Sequence, residues 1–398
     1  MVLTKDLKTD TREKSNREEK RKMRKYRLLS PGPTPVPEKV LLRMADTVIH
    51  HRTPQFQAVI KEVNAQLKQV FRTENPVLMF ASSGTGAMEA SIVNFLSKGD
   101  KALVVRGGKF GERFGEICQA YGVETVDHNV TWGEPADPSV VESLLKENPG
   151  IKAVYTTLCE TSTGVVNDIK EIAKVVSVTD AVLVVDAVSG LSADELKTDE
   201  WGVDVVVCGS QKGLMLPPGL AFMSLSPKAE KLAESSDLPK YYFDLKAARK
   251  SYDRDDTPWT PAVSLVMGLN STLSMILGEG LDNVLARHAR LARATRGAVK
   301  AMGLEMFSKR PSSAVTAVNV PVGVDGAALV KKMRDEQGVT IAGGQAALKG
   351  KIFRIAHLGY MDEYDTIAAI AGVEIVLSQL GYDIELGKGV GKAQEFLK

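Results

Sequence analysis

Cysteine is scarce in this 398-residue chain: only Cys118, Cys159 and Cys208 occur, far apart and without metal-ligand spacing. An odd number on apolar segments excludes a disulfide framework and points to free thiols in a reducing compartment. No apolar run approaches the ~20 residues of a membrane-spanning helix, and no signal-peptide pattern opens the chain. The expected compartment is therefore the cytoplasm, with no membrane partner. Excess charge is also lacking, since the net charge is +2. That near-neutrality hides a basic head, because Lys5 to Arg27 carries 11 Lys or Arg against 5 Asp or Glu. Mixed signs and the lack of any aromatic before Tyr26 make it a solvated arm rather than a nucleic-acid or lipid surface. Paired histidines, His50-His51, have no third ligand at suitable spacing, so no metal is expected.

What the chain does have is a globular composition, 44% hydrophobic and 25% charged, and enough length for two domains. The most informative stretch is Cys208-Gly-Ser-Gln-Lys-Gly-Leu-Met-Leu-Pro-Pro-Gly219. It follows Val203-Asp-Val-Val-Val-Cys208, a short β-branched run of the kind that forms buried parallel strands, whose carboxyl ends carry chemistry. Gly209 and Ser210 allow a sharp turn, Gly213 leaves room beside the amine, and Pro217-Pro218-Gly219 closes the loop. Lys212 is thus held still. A second buried-strand run, Ala181-Val-Leu-Val-Val-Asp186, ends in a carboxylate followed by small residues. Two neighbouring strands would aim Asp186 and Lys212 at one sheet edge. A pyridine-aldehyde cofactor needs both, an amine to hold it and an anion to keep its ring nitrogen protonated. Ser83-Gly84-Thr85, between the strand Val77 to Phe80 and a helix, leaves backbone N–H groups free where a phosphate can sit, or where an ordinary N-cap would form.

Asp186 followed 26 positions later by Lys212 in Gly-Ser-Gln-Lys, with Ser83-Gly84-Thr85 and Glu160-Thr-Ser-Thr-Gly164, resembles the class V aminotransferases that use pyridoxal 5'-phosphate. The likeness runs from about Tyr26 to the end of the chain and lies nearest the alanine–glyoxylate, serine–glyoxylate and serine–pyruvate group. It implies Lys212 as cofactor anchor and proton carrier and Asp186 at the ring nitrogen. It puts Phe110 over the ring, where a helix staple to the core is the plain alternative. It puts Thr161 near the ring oxygen with Glu160 close by, where either could instead cap the helix starting near Val166, and Val188 and Gln211 against the cofactor. Gly32 would lie beside the substrate, and Thr260, with Thr257 as a second candidate, would reach the partner's phosphate in a homodimer. Arg354, an arginine within an apolar strand, needs an anion partner; a salt bridge would serve, and the resemblance implies a substrate carboxylate. The implied reaction moves an amino group from alanine or serine to glyoxylate or pyruvate. Aspartate as donor, a lyase on the same fold and a non-catalytic subunit are the alternatives. Desulfuration would need a cysteine after Cys208, and none occurs.

Apolar strands near 77, 102, 123, 152, 181, 203 and 220 alternate with helical segments, which predicts an α/β fold with a mostly parallel seven-stranded sheet. This matches the large domain of fold type I aminotransferases. A helical pattern from Gln57 to Phe71, a helix starting near Val166 and a long one from Val263 past Arg296 are also expected. Strands at Ala314 to Val320, Val339 to Ala342 and Ile352 to Ile355 predict a smaller C-terminal α+β domain. The expected boundaries are an arm over 1–25, a large domain over 26–275 and a small one over 276–398. Trp132 and Trp201 read as packing residues.

Overall fold

The computed structural model describes residues 25–398, so the charged arm lies outside the described residues apart from Lys25. The first strand, β1 (Arg27–Leu28), precedes a proline-rich stretch that bends over residues 30–33 and forms no helix before Glu38. The central sheet is built from β2 (Val77–Phe80), β3 (Lys101–Arg106), β4 (Glu124–Asn129), β5 (Ile151–Thr157), β8 (Val182–Asp186), β9 (Val205–Gly209) and β10 (Ala221–Leu225). A short hairpin, β6 (Cys159–Glu160) with β7 (Val165–Val166), lies between β5 and β8. The order across the sheet is β2-β10-β9-β8-β5-β3-β4. All seven expected strands are in it. β10 runs antiparallel to both neighbours, and the other pairings are parallel.

Apolar side chains on both faces explain why this sheet is covered on both sides. Leu103, Val105, Val154, Leu183, Val185 and Val206 pack into one core, while Ala102, Val104, Tyr155, Val182, Val184 and Val207 pack into another. Adjacent strand residues thus feed opposite layers, as strand geometry requires. Trp201 packs against the first core and Trp132 against a small satellite cluster, as packing residues do.

The long helical pattern after Val263 is interrupted. Gly280, at φ +86, ends the helix Val263–Glu279 and starts the helix Leu281–Ala301, a conformation glycine adopts without steric cost. The first helix packs on the central-sheet core, whereas Leu291, Ala294 and Ala298 of the second enter a C-terminal core. There β11 (Val315–Asn319), β13 (Ala342–Gly343) and β14 (Ile352–Ala356) form a sheet in the order β11-β14-β13. The expected strand over Val339 to Ala342 is split, because β12 (Val339–Thr340) pairs in parallel with β1 instead. This crosslink ties the N-terminal segment to the C-terminal core.

Two helix starts also differ from expectation. One helix opens at Pro54 rather than Gln57, with the Thr53 hydroxyl accepting from Phe56 N and proline in the first turn. The other opens at Ile169, three residues after Val166, capped by the Asp168 carboxylate on Glu171 N.

Candidate active site

β8 and β9 are parallel neighbours, with Asp186 in register with Val207, so their carboxyl ends open on the same edge. There a cavity of about 110 Å³ is lined by Ser83, Gly84, Thr85, Phe110, Thr161, Asp186, Val188, Gln211 and Lys212, together with Met88, Arg113 and Ser189. Nine of the expected residues therefore meet in one space.

The lysine turn is braced from several sides. Ser210 donates its hydroxyl to Pro217 O at 2.7 Å, and Leu216 N bonds to Ser210 O at 3.2 Å. Thr34 bonds through its hydroxyl to Lys212 O at 3.0 Å and through its N–H to Gln211 O at 3.2 Å. The Lys212 amine donates to Pro31 O. Gly32, at φ +130, lies so close that a Cβ there would collide with the lysine side chain. Gly213 serves a different purpose from the one its position suggested. A Cβ on it would strike the carbonyl oxygen of Leu191, so glycine here lets the turn seat on the backbone that follows β8, not beside the amine.

Burial dominates the charges. It lowers the Lys212 pKa from 10.5 to about 8, against the opposing pull of Cys159 and Asp186. It raises the Asp186 pKa to about 7, although Val188 N donates to Asp186 Oδ1 at 2.8 Å. The two groups thus approach each other in proton affinity, a pattern typical of acid–base sites.

The helix Gly84–Phe95 points its N-terminus into the cavity, and the Ser83 side chain makes no capping bond to it. Val188 packs against Gly84, where a Cβ would clash with it. Gln211 Oε1 is buried without a hydrogen-bond partner among the described residues. Free helix N–H groups, a buried unpartnered amide oxygen, an anion on one strand and a low-affinity amine on the next suit a phosphorylated pyridine aldehyde.

Glu160 takes a structural task, on a helix other than the one that follows Val166. Its buried carboxylate accepts from Phe110 N at 3.1 Å, from Gly111 N at 2.9 Å and from the Ser162 hydroxyl. It therefore caps the helix Lys109–Ala120 and fixes the backbone of Phe110. Thr161 donates its hydroxyl to Ser189 Oγ at 2.6 Å.

Arg354, on β14, does not line this cavity. It abuts it, because Nη1 donates to Thr161 O at 2.8 Å while Nε and Nη2 both reach Gly343 O. Neutral carbonyls hold it, and burial lowers its pKa to about 10. Thr260 is not brought in: it is exposed in a separate cleft with Tyr242, Thr257 and Trp259. Arg52 is likewise engaged elsewhere, pairing with Asp256 and reaching Thr257 O.

Sequence reasoning missed Arg113 and His288. The Arg113 guanidinium bonds to Thr85 Oγ1 at 3.1 Å. His288, fully buried, lies 2.8 Å from Ser192 O through Nδ1 and accepts Gly359 N at 3.0 Å through Nε2. It joins the backbone under the lysine turn to the loop after β14, and burial lowers its pKa to about 4, which keeps it neutral. A lone histidine in a charged helix carries no sequence signal for such a role.

The architecture is that of an α/β aminotransferase, with a mostly parallel sheet presenting a lysine and an aspartate at adjacent strand ends. Residues 26–361 match the model of the Aminotransferase class-V family, and the chain belongs to that family of transferases. Three similar proteins are informative. A Synechococcus protein called "Soluble hydrogenase, small subunit" is 45% identical, over 94% of this chain and 98% of its own. The L-aspartate–glyoxylate aminotransferase of Paracoccus denitrificans is 39% identical, over 92% and 94%. The solved structure of ureidoglycine–glyoxylate aminotransferase from Bacillus subtilis superposes with a TM-score of 0.90 at 29% identity, over 94% and 98%. No helix among the described residues is long and apolar enough to cross a membrane.

Proposed function

We propose that the chain is a cytoplasmic, pyridoxal-phosphate-dependent transaminase that moves an amino group from alanine or serine to glyoxylate or pyruvate. The observation that carries this reading is the convergence of Lys212 and Asp186 on one cavity at adjacent strand ends. When bound, the cofactor supplies an electron-withdrawing ring that stabilises negative charge at the substrate α-carbon. Lys212 would hold the cofactor aldehyde and, as a free amine, would move the proton of the substrate α-carbon. Its burial suits both tasks, because an amine of pKa about 8 is partly unprotonated at neutral pH. Asp186 keeps a proton on the ring nitrogen. Phe110 covers one ring face, and Thr161, Val188 and Gln211 hold the ring and its substituents. Ser83, Gly84 and Thr85 take the phosphate at a helix N-terminus. Arg354 grips the substrate carboxylate with a guanidinium fork, which orients the breaking bond, and Gly32 leaves space beside it.

A homodimer is the working unit in this reading, with Thr260 serving the neighbouring subunit, consistent with its exposure away from its own cavity. The chain divides into a large domain, 26–275, and a small one, 276–398, and the helix break at Gly280, a few residues past that boundary, supports a division close to it.

Small donors are favoured because one guanidinium suffices for an α-carboxylate, while Arg52 is neutralised by Asp256 in its own chain. Glyoxylate as acceptor is supported by its recurrence in the names of the Paracoccus and Bacillus proteins, whose donors differ. Aspartate is the second reading, favoured by the Paracoccus relative. A non-catalytic hydrogenase subunit is disfavoured, because Lys212 and Asp186 share one cavity and Arg354 abuts it. Free Cys118, Cys159 and Cys208 are buried on separate elements and their pKa values are raised by burial, which is poor chemistry for thiolate ligands. The test is kcat/KM for alanine, serine and aspartate with glyoxylate, pyruvate and 2-oxoglutarate. A strong preference for aspartate, abolished by Arg52→Ala, would move the chain to the dicarboxylate reading.

A further inference from the structure

Arg113 lies one helical turn after Phe110 on the helix Lys109–Ala120. Its guanidinium carbon is 4.9 Å from the centroid of the Phe110 ring, and its Nη1 donates to Thr85 Oγ1 at 3.1 Å. Among the described residues no carboxylate lies within ion-pair distance of it, and it shares the cavity wall with Ser83, Gly84 and Thr85. Other arginines among the described residues are answered by a carboxylate, as Arg106 is by Asp127 and Arg52 by Asp256. Arg113 is answered by a hydroxyl and an aromatic face instead.

The charge balance of the cavity makes this informative. A phosphate monoester carries roughly −1.5 to −2 at neutral pH, whereas a helix N-terminus offers only about +0.5. The cavity wall holds two cationic side chains, Lys212 and Arg113. The Lys212 amine is committed to the cofactor aldehyde, and Asp186 adds negative charge at the other end. Without a further cation, a dianion in the Ser83–Thr85 cup would be undercompensated in a partly buried site.

We propose that Arg113 is the charged partner of the cofactor's phosphate, reaching it beside Thr85, an assignment that rests on the pyridoxal-phosphate reading above. The competing role is purely architectural: Arg113 ties the helix Lys109–Ala120 to the helix Gly84–Phe95 through the Thr85 hydroxyl and does nothing for the phosphate.

Cofactor-stripped protein distinguishes the two, because pyridoxal carries the same ring and aldehyde as pyridoxal phosphate without the phosphate. Equilibrium binding of each, followed by absorbance, is measured for wild type, Arg113→Met and Arg113→Gln. Loss of a charge-assisted contact weakens pyridoxal phosphate binding by about 10- to 100-fold, while pyridoxal binding stays within about twofold of wild type. Arg113→Gln keeps an N–H donor for Thr85 without the charge, so it shows the same selective loss and decides the question if Arg113→Met fails to fold. Equal losses for both aldehydes, or no loss for either, would overturn the assignment of Arg113. A wild type that binds neither aldehyde would overturn the cofactor reading itself.

Discussion

Arg354 Nη1 donates to the carbonyl oxygen of Thr161 at 2.8 Å, so an arginine of the C-terminal sheet is fastened to a residue whose side chain lines the cavity of the central sheet. The backbone between β6 and β7 thereby aims the guanidinium carried by β14. The carbonyls of Gly343 and Thr161 orient the guanidinium without cancelling its charge, which leaves it attractive to a carboxylate.

Arg354→Lys keeps the positive charge but loses the planar fork and the bonds that aim it. We expect KM for the amino donor to rise about 10- to 100-fold, the equivalent of ~1.5–3 kcal/mol for a charge-assisted hydrogen bond, with a much smaller change in kcat. Steady-state kinetics across several donors checks this. An unchanged KM would show that the substrate carboxylate binds elsewhere.

Asp186 yields a prediction with a definite sign. Burial raises its pKa from 3.8 to about 7, so in stripped protein the folded state holds this proton more tightly than the unfolded chain. The resulting stability is fully present below the unfolded value and is lost as pH rises through about 7. Asparagine has no charge to bury. The melting temperature of stripped Asp186→Asn, relative to wild type, should therefore improve between about pH 5 and pH 8, while transamination falls by orders of magnitude because the ring nitrogen loses its anion. A difference that is flat or runs the other way, or turnover near wild type, would contradict the assignment.

The central sheet and the pair Lys212–Asp186 were legible in the sequence because buried strands are short apolar runs and their chemistry sits at their ends. Strand direction was not legible, since the apolar pattern of Ala221–Leu225 reads the same in either sense. The pairing of Arg27–Leu28 with Val339–Thr340 joins segments about 310 residues apart, and no local pattern encodes such a contact. Gly280 was visible as a residue, yet glycine inside an apolar periodicity does not announce a break unless its φ is known. The same limit hid the true neighbour of Gly213. Arg113 escaped notice because it is one of several charges on an amphipathic helix, and only the fold turns it toward Thr85.

The most direct test of the account is where the cofactor attaches. Stripped protein is incubated with pyridoxal phosphate, reduced with borohydride, digested and mapped by mass. The reduced cofactor should appear on the peptide containing Lys212 and be lost from Lys212→Ala. Because burial brings this amine to about 8, and the neutral amine is the nucleophile, the rate of capture should climb as pH rises through about 8. Label on a different lysine, or equal labelling of Lys212→Ala, would contradict the account.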